Sequence, residues 1–228
     1  MVDAVLLDWE GVLADTCVAR GEAMLHALAR EGVATDQQSI DAECAGRTTH
    51  AAAAALVARA GIADPTLVDL VTLRATSGFA ERLGKGLVLI RGAREFVERA
   101  QLDASVAIVT SATRGETAFV LGLAGLDGAV STIVSADDAL EPPPHRAMYD
   151  HAVENIRRRR GVQRARTVAL VPTVAALRAA RGAGLRAVAV DLPAHAALDA
   201  DGAIATVLGL TLRDLSALSG VSMLERHR

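Results

Sequence analysis

The chain has 228 residues, enough for one large α/β domain or for a core domain with a smaller inserted one. Hydrophobic residues make up 51% of it and aromatic residues only 2%, so we expect a core built from Ala, Leu and Val side chains. A net charge of −3 supplies no broad positive field, and neither nucleic acid nor an anionic membrane is therefore expected as a partner.

Cysteine content and apolar patterning limit the class of protein further. Cys17 and Cys44 are too few and too unpatterned for a disulfide framework or a metal site. No signal peptide precedes the first strand-like run, and no apolar stretch is long enough to span a bilayer. We therefore expect a cytoplasmic protein, and we leave its oligomeric state open.

Short apolar runs alternate with helical patterns over most of the chain, which is typical of a parallel sheet with crossover helices. The predicted strands are Ala4–Leu7, Ser105–Val109, Ser131–Val134, Thr167–Val171 and Ala187–Val190. Helices between the later strands are predicted at Thr117–Leu123, Ala147–Arg159 and Val174–Arg181. The sequence therefore predicts an α/β fold, a Rossmann-like parallel sheet with helices on both faces.

The interval between the first two predicted strands is far longer than one crossover connection needs. Its helical patterns cover Val18–Arg30, Asp36–Cys44, Thr48–Ala60 and Pro65–Leu83. A strand-like run appears at Leu87–Ile90, and a helix over Arg94–Ala100 leads into the second strand. We predict a small helical domain over residues 16–86, inserted into a core formed by residues 1–15 and 87–228.

One basic run, Arg157–Arg160, lies at the end of a predicted helix and directly before Gly161. Positive charge suits a helix C-terminus, and glycine there is an ordinary stop signal. The run has no aromatic neighbours or recognised motif for nucleic acid. We interpret it as the basic end of a helix.

Ligands in parallel α/β sheets bind beyond the carboxyl ends of the strands, so the residues that follow each strand are the candidates for chemistry. The first strand is followed by Asp8-Trp9-Glu10-Gly11, the second by Thr110-Ser111 and the fourth by Pro172-Thr173. A carboxylate and hydroxyls at one sheet edge are suited to nucleophilic and phosphate chemistry.

Asp8-Trp9-Glu10-Gly11-Val12-Leu13-Ala14-Asp15-Thr16 resembles the nucleophile motif of haloacid dehalogenase-like (HAD) hydrolases, and Val106–Ser111 resembles their second motif. The helical insertion is similar to the small cap of phosphoglycomutase-like and phosphoglycolate-phosphatase-like members. Cys44–Thr48 resembles their cap loop. The resemblance extends to about Leu218.

The resemblance implies a role for each matching residue. Asp8 is the implied nucleophile, and Glu10 the implied acid and base, with its backbone carbonyl helping Asp8 to bind Mg²⁺. Thr110 is implied to hold the transferring phosphoryl group. The implied substrate-binding residues are Ser111, Arg47 and Thr48. A small phosphorylated metabolite is the implied substrate.

Three positions depart from the family pattern. Glu10 is one methylene longer than the usual Asp. Glu141 stands where motif three has a lysine, and the candidate cations to replace that lysine are Arg146, His145 and Lys85. Val171 and Pro172 stand where motif four has Mg²⁺-binding carboxylates, for which Glu141 and Asp191 are possible substitutes.

These departures leave three functions open. The first is a phosphatase-type hydrolase with weakened or altered catalysis. A negative phosphate about 4 Å from the Asp8 carboxylate is repelled by on the order of 4 kcal/mol per pair of unit charges at an effective dielectric near 20, unless a cation neutralises the charge. The second is a catalytically inactive relative that binds a metabolite or a protein between core and cap. The third is a dehalogenase, whose chemistry needs Asp8 but no Mg²⁺.

Overall fold

The computed structural model describes residues 1–141 and 144–220. It divides into two compact units, one formed by Met1–Ala14 with Leu89–Arg228 and the other by Asp15–Val88. No helix within the described residues is both long and apolar enough to cross a membrane. Met1–Ala14 with Leu89–Arg228 is called the core unit below, and Asp15–Val88 is called the helical unit.

A single parallel sheet forms the centre of the core unit. Its strands are β1 (Ala4–Leu7), β2 (Ser105–Val109), β3 (Thr132–Val134), β4 (Thr167–Val171), β5 (Arg186–Val190) and β6 (Gly202–Ile204). They are arranged in the order β3-β2-β1-β4-β5-β6, and every neighbouring pair is parallel. The sequence prediction of a parallel α/β fold is confirmed, and its five strands are each found to within one residue.

Helices cover the sheet because its strands are apolar on both faces. The helices of the core unit are α5 (Ala93–Asp103), α6 (Arg114–Ala124), α7 (Arg146–Arg160), α8 (Val174–Gly182) and α9 (Leu212–Leu218). Alternate strand residues, among them Leu6, Val109 and Val171, share one apolar cluster with α7 and α8. The intervening residues are also buried, and α5 packs against β2. This is the double burial expected of parallel strands.

The helical unit consists of four helices around an apolar centre of its own. They are α1 (Cys17–Arg30), α2 (Gln37–Cys44), α3 (Thr49–Arg59) and α4 (Pro65–Lys85). Polar residues mark where they begin: Asp36 caps α2, and Asp64 caps α4 directly before Pro65. Met24, Leu28 and other apolar side chains from all four helices form the cluster inside.

The structure differs from the sequence prediction near the return to the core unit and near the C-terminus. Leu87–Ile90 does not form a strand; Leu89 makes only an isolated antiparallel bridge to Ala14. Strand β6 and helix α9 were not predicted. Each is short, three and seven residues, so neither has enough residues to show a clear period in the sequence.

Candidate active site

Asp8 directly follows the last residue of β1, at the carboxyl edge of the sheet. Its side chain is half-buried, and its Oδ1 atom accepts a hydrogen bond from the backbone N–H of Glu10 at 3.3 Å. Glu10 is also half-buried and forms an isolated bridge with Ala14. Asp8 and Glu10 therefore lie together at the start of one tight loop.

The loop after Asp8 closes on itself through backbone hydrogen bonds. Gly11 N donates to Ala14 O at 2.9 Å, and the backbone N–H groups of Leu13 and Ala14 both donate to Trp9 O. Trp9 is fully buried, which agrees with a packing role. Gly11 has a φ of +79°, a left-handed conformation that glycine adopts without the strain a side chain brings. The motif thus holds Glu10 on a fixed turn beside Asp8.

Thr110 and Ser111 follow β2, the neighbour of β1. Because Leu7 is paired with Ile108, Asp8 and Thr110 leave adjacent strands at the same edge of the sheet. Thr110 and Ser111 are both buried, and the Thr110 hydroxyl oxygen accepts a hydrogen bond from Ala112 N at 3.2 Å. The core unit therefore carries Asp8, Glu10, Thr110 and Ser111 at one edge.

The other neighbour of β1 at this edge is β4, with Leu7 paired to Leu170. The two residues that follow Leu170 are Val171, which is fully buried, and Pro172, which is half-buried. A Cβ atom placed on Gly11 would lie 2.7 Å from Pro172 Cβ. The pyrrolidine ring of Pro172 therefore packs directly against the loop that carries Glu10.

The resemblance to haloacid dehalogenase-like hydrolases implies Mg²⁺ as the cofactor, and the ligand preference of that ion can be compared with the residues at this edge. Mg²⁺ takes an octahedral shell of oxygens, usually with one or two carboxylates and the substrate phosphate. Here Asp8 is flanked on the β4 side by hydrocarbon from Val171 and Pro172. Within residues 1–141 and 144–220, no three His, Cys, Asp or Glu side chains come together in a group that could hold a metal. This edge therefore offers Mg²⁺ a poorer set of ligands than the family pattern does, with Asp8 and Glu10 on one loop and no carboxylate from Val171 or Pro172.

The cations considered as replacements for the missing lysine have partners on their own helices. Arg146, at the start of α7, pairs with Asp150 at 3.6 Å, and Lys85 pairs with Glu81 at 2.7 Å. His145 caps α7 by accepting a hydrogen bond from Ala147 N at 3.3 Å. Glu141 is exposed, while Pro142 and Pro143 of the same segment lie outside the described residues. Among the described residues of this segment, 141 and 144–146, no hydrogen bond or ion pair joins a cation to Asp8.

Tyr149 is a site residue that the sequence interpretation missed. It is buried on the first turns of α7, and it belongs to the same apolar cluster as Leu6, two residues before Asp8. Burial, and then the negative charge of Asp8, raises the pKa of the Tyr149 phenol far above its usual range. Tyr149 therefore stays protonated as a neutral group near Asp8. One feature of the sequence could have indicated Tyr149. It lies near the start of a predicted crossover helix, and such helices begin at the carboxyl edge of the sheet, where Asp8 lies.

The helical unit holds the two predicted cap residues. Arg47 is partly exposed and pairs with Glu43 at 2.7 Å, and the Thr48 hydroxyl oxygen caps α3 by accepting from Ala51 N at 3.1 Å. Thr48 therefore has a structural task in its own helix. Arg47 and Thr48 stay predicted substrate contacts.

Arg47 lines a small pocket of the helical unit that contains a second arginine, Arg20, which the sequence interpretation also missed. Arg20 is buried, its guanidinium lies 4.3 Å from the centre of the Phe79 ring, and it donates to Thr49 Oγ1 at 3.2 Å. Stacking on an aromatic ring holds a guanidinium with its donors directed sideways. The pocket thus presents two guanidinium groups, one fixed and one more exposed.

A parallel α/β core with an aspartate after its first strand, interrupted by a helical unit, defines a class of hydrolases with an aspartate nucleophile. The family model for haloacid dehalogenase-like hydrolases matches residues 5–190 of this chain. The chain therefore belongs to the haloacid dehalogenase-like hydrolase family. A search of curated proteins finds no significant match.

Solved structures similar to this chain share its fold at low sequence identity. A β-phosphoglucomutase from Clostridium difficile has a TM-score of 0.83 at 12% identity, covering 96% of this chain and 98% of its own. CbbY from Rhodobacter sphaeroides, solved with phosphate, has a TM-score of 0.76 at 21% identity, with 90% and 95% covered. A predicted phosphoglycolate phosphatase from Haemophilus somnus has a TM-score of 0.78 at 15% identity, with 95% and 97% covered.

Proposed function

We propose that this protein is a phosphatase-type hydrolase that acts on a small phosphorylated metabolite through Asp8, with much weaker catalysis than a complete site would have. The observation that carries the proposal is the intact edge of the sheet: Asp8 and Glu10 on one closed loop, and Thr110 on the adjacent strand. One of the structural relatives, CbbY from Rhodobacter sphaeroides, was solved with bound phosphate, which supports the substrate class.

The reaction follows from these positions. A carboxylate oxygen of Asp8 attacks phosphorus, and the bond from phosphorus to the ester oxygen breaks. Glu10 gives its proton to that leaving oxygen and then takes a proton from water, which attacks the aspartyl-phosphate and releases inorganic phosphate. Asp8 is regenerated as a carboxylate. Thr110 holds a phosphoryl oxygen through its hydroxyl.

Weak catalysis follows from what surrounds Asp8. A phosphate dianion next to a carboxylate is repelled unless cations neutralise it, and here Pro172 and Val171 bring hydrocarbon instead of charge. The neutral phenol of Tyr149 adds no charge either. Each 1.36 kcal/mol lost from the stabilisation of the transition state costs about tenfold in rate. Several powers of ten in turnover are therefore expected to be missing.

The test is phosphate release from a panel of small phosphate monoesters, measured with and without Mg²⁺. Asp8→Asn removes the nucleophile while keeping the side chain's size, and Asp137→Asn is the control with the same chemical change at an exposed site. We expect slow release in the wild type and Asp137→Asn and none in Asp8→Asn. Equal release from all three proteins would mean a contaminating phosphatase and would contradict the proposal.

A second candidate function is a relative without catalysis that binds a phosphorylated metabolite. The packing of Pro172 against Gly11 favours it, because the residue after β4 then contacts the loop after Asp8 with hydrocarbon and supplies no carboxylate there. The two candidates differ in the effect of Asp8→Ala. A binding protein keeps or gains affinity for a phosphate monoester when this carboxylate is removed, and shows no turnover before or after the change.

A further inference from the structure

One hydrogen-bond donor near Asp8 has no task in the proposed reaction: the phenol hydroxyl of Tyr149. Tyr149 lies in the first turn of α7 (Arg146–Arg160) and is only 4% exposed. Long side chains on a helix lean towards its N-terminus. Because α7 follows β3 and so begins at the carboxyl edge of the sheet, the Tyr149 ring leans towards the edge where Asp8 lies.

Tyr149 and Asp8 also lie on the same face of the sheet. Alternate residues of a strand point to the same face, and Leu6 of β1 belongs to the apolar cluster that contains Tyr149. Asp8 is the next residue in that alternation, directly after the strand ends. Val109 and Val171, the last residues of the two neighbouring strands, belong to the same cluster. Burial first, and then the negative charge of Asp8, raises the pKa of the phenol, which agrees with this placement.

The hydroxyl of Tyr149 has no partner in the described chain, and yet it is not enclosed. It forms no hydrogen bond to any group within residues 1–141 and 144–220. Its oxygen is not one of the solvent-inaccessible polar atoms of these residues, so it keeps surface that a ligand oxygen can reach. A buried phenol normally finds an acceptor for its proton. The acceptor therefore comes from outside this part of the chain, as water or as an oxygen of a ligand.

We propose that the Tyr149 hydroxyl donates a hydrogen bond to an oxygen of the phosphoryl group that is held beside Asp8. The inference rests on the proposed function for the position of this ligand, but not for its hydrolysis. The lysine of motif three, replaced here by Glu141, would supply both a donor and a positive charge. Tyr149 supplies the donor alone. It therefore favours binding of the phosphoryl group and leaves the repulsion between that group and Asp8 in place, as slow turnover requires.

The chain contains one tyrosine, so tyrosine labelled with ¹³C at Cζ gives a single resonance that belongs to Tyr149. The chemical shift of this carbon changes when the hydroxyl donates a hydrogen bond. The probe is inorganic phosphate, added to the wild type and to Asp8→Asn. We expect a saturable shift in both proteins, with tighter binding in Asp8→Asn because that variant removes a negative charge beside the ligand. Phosphate binding that calorimetry detects but that leaves this resonance unmoved would overturn the proposal.

Tyr149→Phe removes the hydroxyl and keeps the ring. Thr167→Val is the matched control, because it removes a fully buried hydroxyl at the opposite, amino end of β4. We expect the affinity for phosphate, measured by calorimetry, to fall about tenfold or more in Tyr149→Phe and to stay unchanged in Thr167→Val. Without phosphate, Tyr149→Phe should melt no lower than the wild type, because the hydroxyl it removes has no acceptor in the described chain. Equal affinity in Tyr149→Phe and the wild type would mean that the hydroxyl binds water instead, and would overturn the proposal.

Failure of this inference differs in its results from failure of the proposed function. A protein that binds phosphate through Tyr149 but releases none from any monoester would support the inference and contradict only hydrolysis by Asp8. Slow release that depends on Asp8, together with unchanged phosphate affinity in Tyr149→Phe, would contradict the inference and leave the hydrolase intact. An equal loss of affinity in Tyr149→Phe and Thr167→Val would show a general loss of structure and would also overturn the inference.

Discussion

Pro172 lies against Gly11 so closely that a Cβ atom on the glycine would be 2.7 Å from the Cβ atom of the proline. Gly11 belongs to the loop that carries Glu10, and Pro172 occupies a position where the family has a metal-binding carboxylate. The contact therefore joins the loop that matches the family's nucleophile motif to the end of β4, where the family pattern is lost. A side chain at either position affects the other.

Gly11→Ala is expected to destabilise the protein by about 2 kcal/mol or more, because the new methyl overlaps Pro172 and the φ of +79° disfavours any side chain. Urea unfolding measures this loss. The double variant Gly11→Ala with Pro172→Gly should no longer have the overlap between the two side chains. Its loss in free energy of unfolding should therefore be smaller than the sum of the losses in the two single variants. Simple additivity would show that the contact does not contribute.

Pro172→Asp returns a carboxylate to the end of β4, next to the strand that carries Asp8. We expect the variant to bind Mg²⁺ measurably more tightly than the wild type, because the new carboxylate comes from the strand next to β1 and adds to Asp8 and Glu10 at the same edge. Calorimetry measures the affinity. Pro172→Asn is the matched control, since it changes the backbone in the same way but adds no charge. Equal Mg²⁺ binding by Pro172→Asp and Pro172→Asn would show that the missing carboxylate at position 172 is not what limits Mg²⁺ binding.

Tyr149 is the chain's one tyrosine, so absorbance of tyrosinate reports on it alone. Its folded-state pKa is raised, and the folded protein therefore holds this proton more tightly than the unfolded chain does. The resulting stabilisation is complete below the ordinary tyrosine pKa near 10 and is lost as the pH rises above it. Ionisation should coincide with unfolding, which fluorescence of the single tryptophan, Trp9, follows separately. A reversible titration near pH 10 in folded protein would contradict the burial of the phenol beside Asp8.

Asp201 should stabilise the fold at neutral pH. It accepts hydrogen bonds from Arg181, Arg186 and Ala187 N, and although burial opposes them, these bonds hold its pKa below the usual range. Asp201→Asn is expected to lose about 1–3 kcal/mol at pH 7.

The effect of Asp201 should depend on pH in a defined direction. With a lowered folded-state pKa, its contribution is present above the ordinary carboxyl pKa and is lost as the pH falls through the folded value. The gap in unfolding free energy between wild type and Asp201→Asn should therefore narrow at pH 3. Asp199→Asn, an exposed carboxylate on the same segment, is the control that should show little change at either pH. If the difference in unfolding free energy between wild type and Asp201→Asn is the same at pH 3 and pH 7, the loss of stability arises from packing and not from the charge of Asp201.

The sheet could be predicted from the sequence because its strands are apolar on both faces and each is bounded by turn residues. Val106–Val109 and Val168–Val171 are continuous apolar runs, and the structure buries every residue in them. Asp8 and Thr110 were identifiable because residues that follow parallel strands meet at one edge. Strand β6 escaped prediction because Gly202–Ile204 has neither length nor a clear pattern.

The rest of the site could not be predicted because it depends on side chains distant in sequence. Tyr149 approaches Asp8 only through the packing of α7 on the sheet, and Pro172 meets Gly11 only because β4 is placed beside β1. Arg20 belongs to no motif in the sequence, and its burial against Phe79 requires α1 and α4 to pack together. Such relationships are set by tertiary structure.

The central claim is that Asp8 is still a nucleophile towards phosphorus. The most direct measurement is the incubation of the protein with ³²P-labelled acetyl phosphate, followed by an acid quench that preserves an aspartyl-phosphate. We expect label on the wild type and on Asp137→Asn, located at Asp8 by peptide mapping, and none on Asp8→Asn. A wild type that takes up no more label than Asp8→Asn would contradict the account.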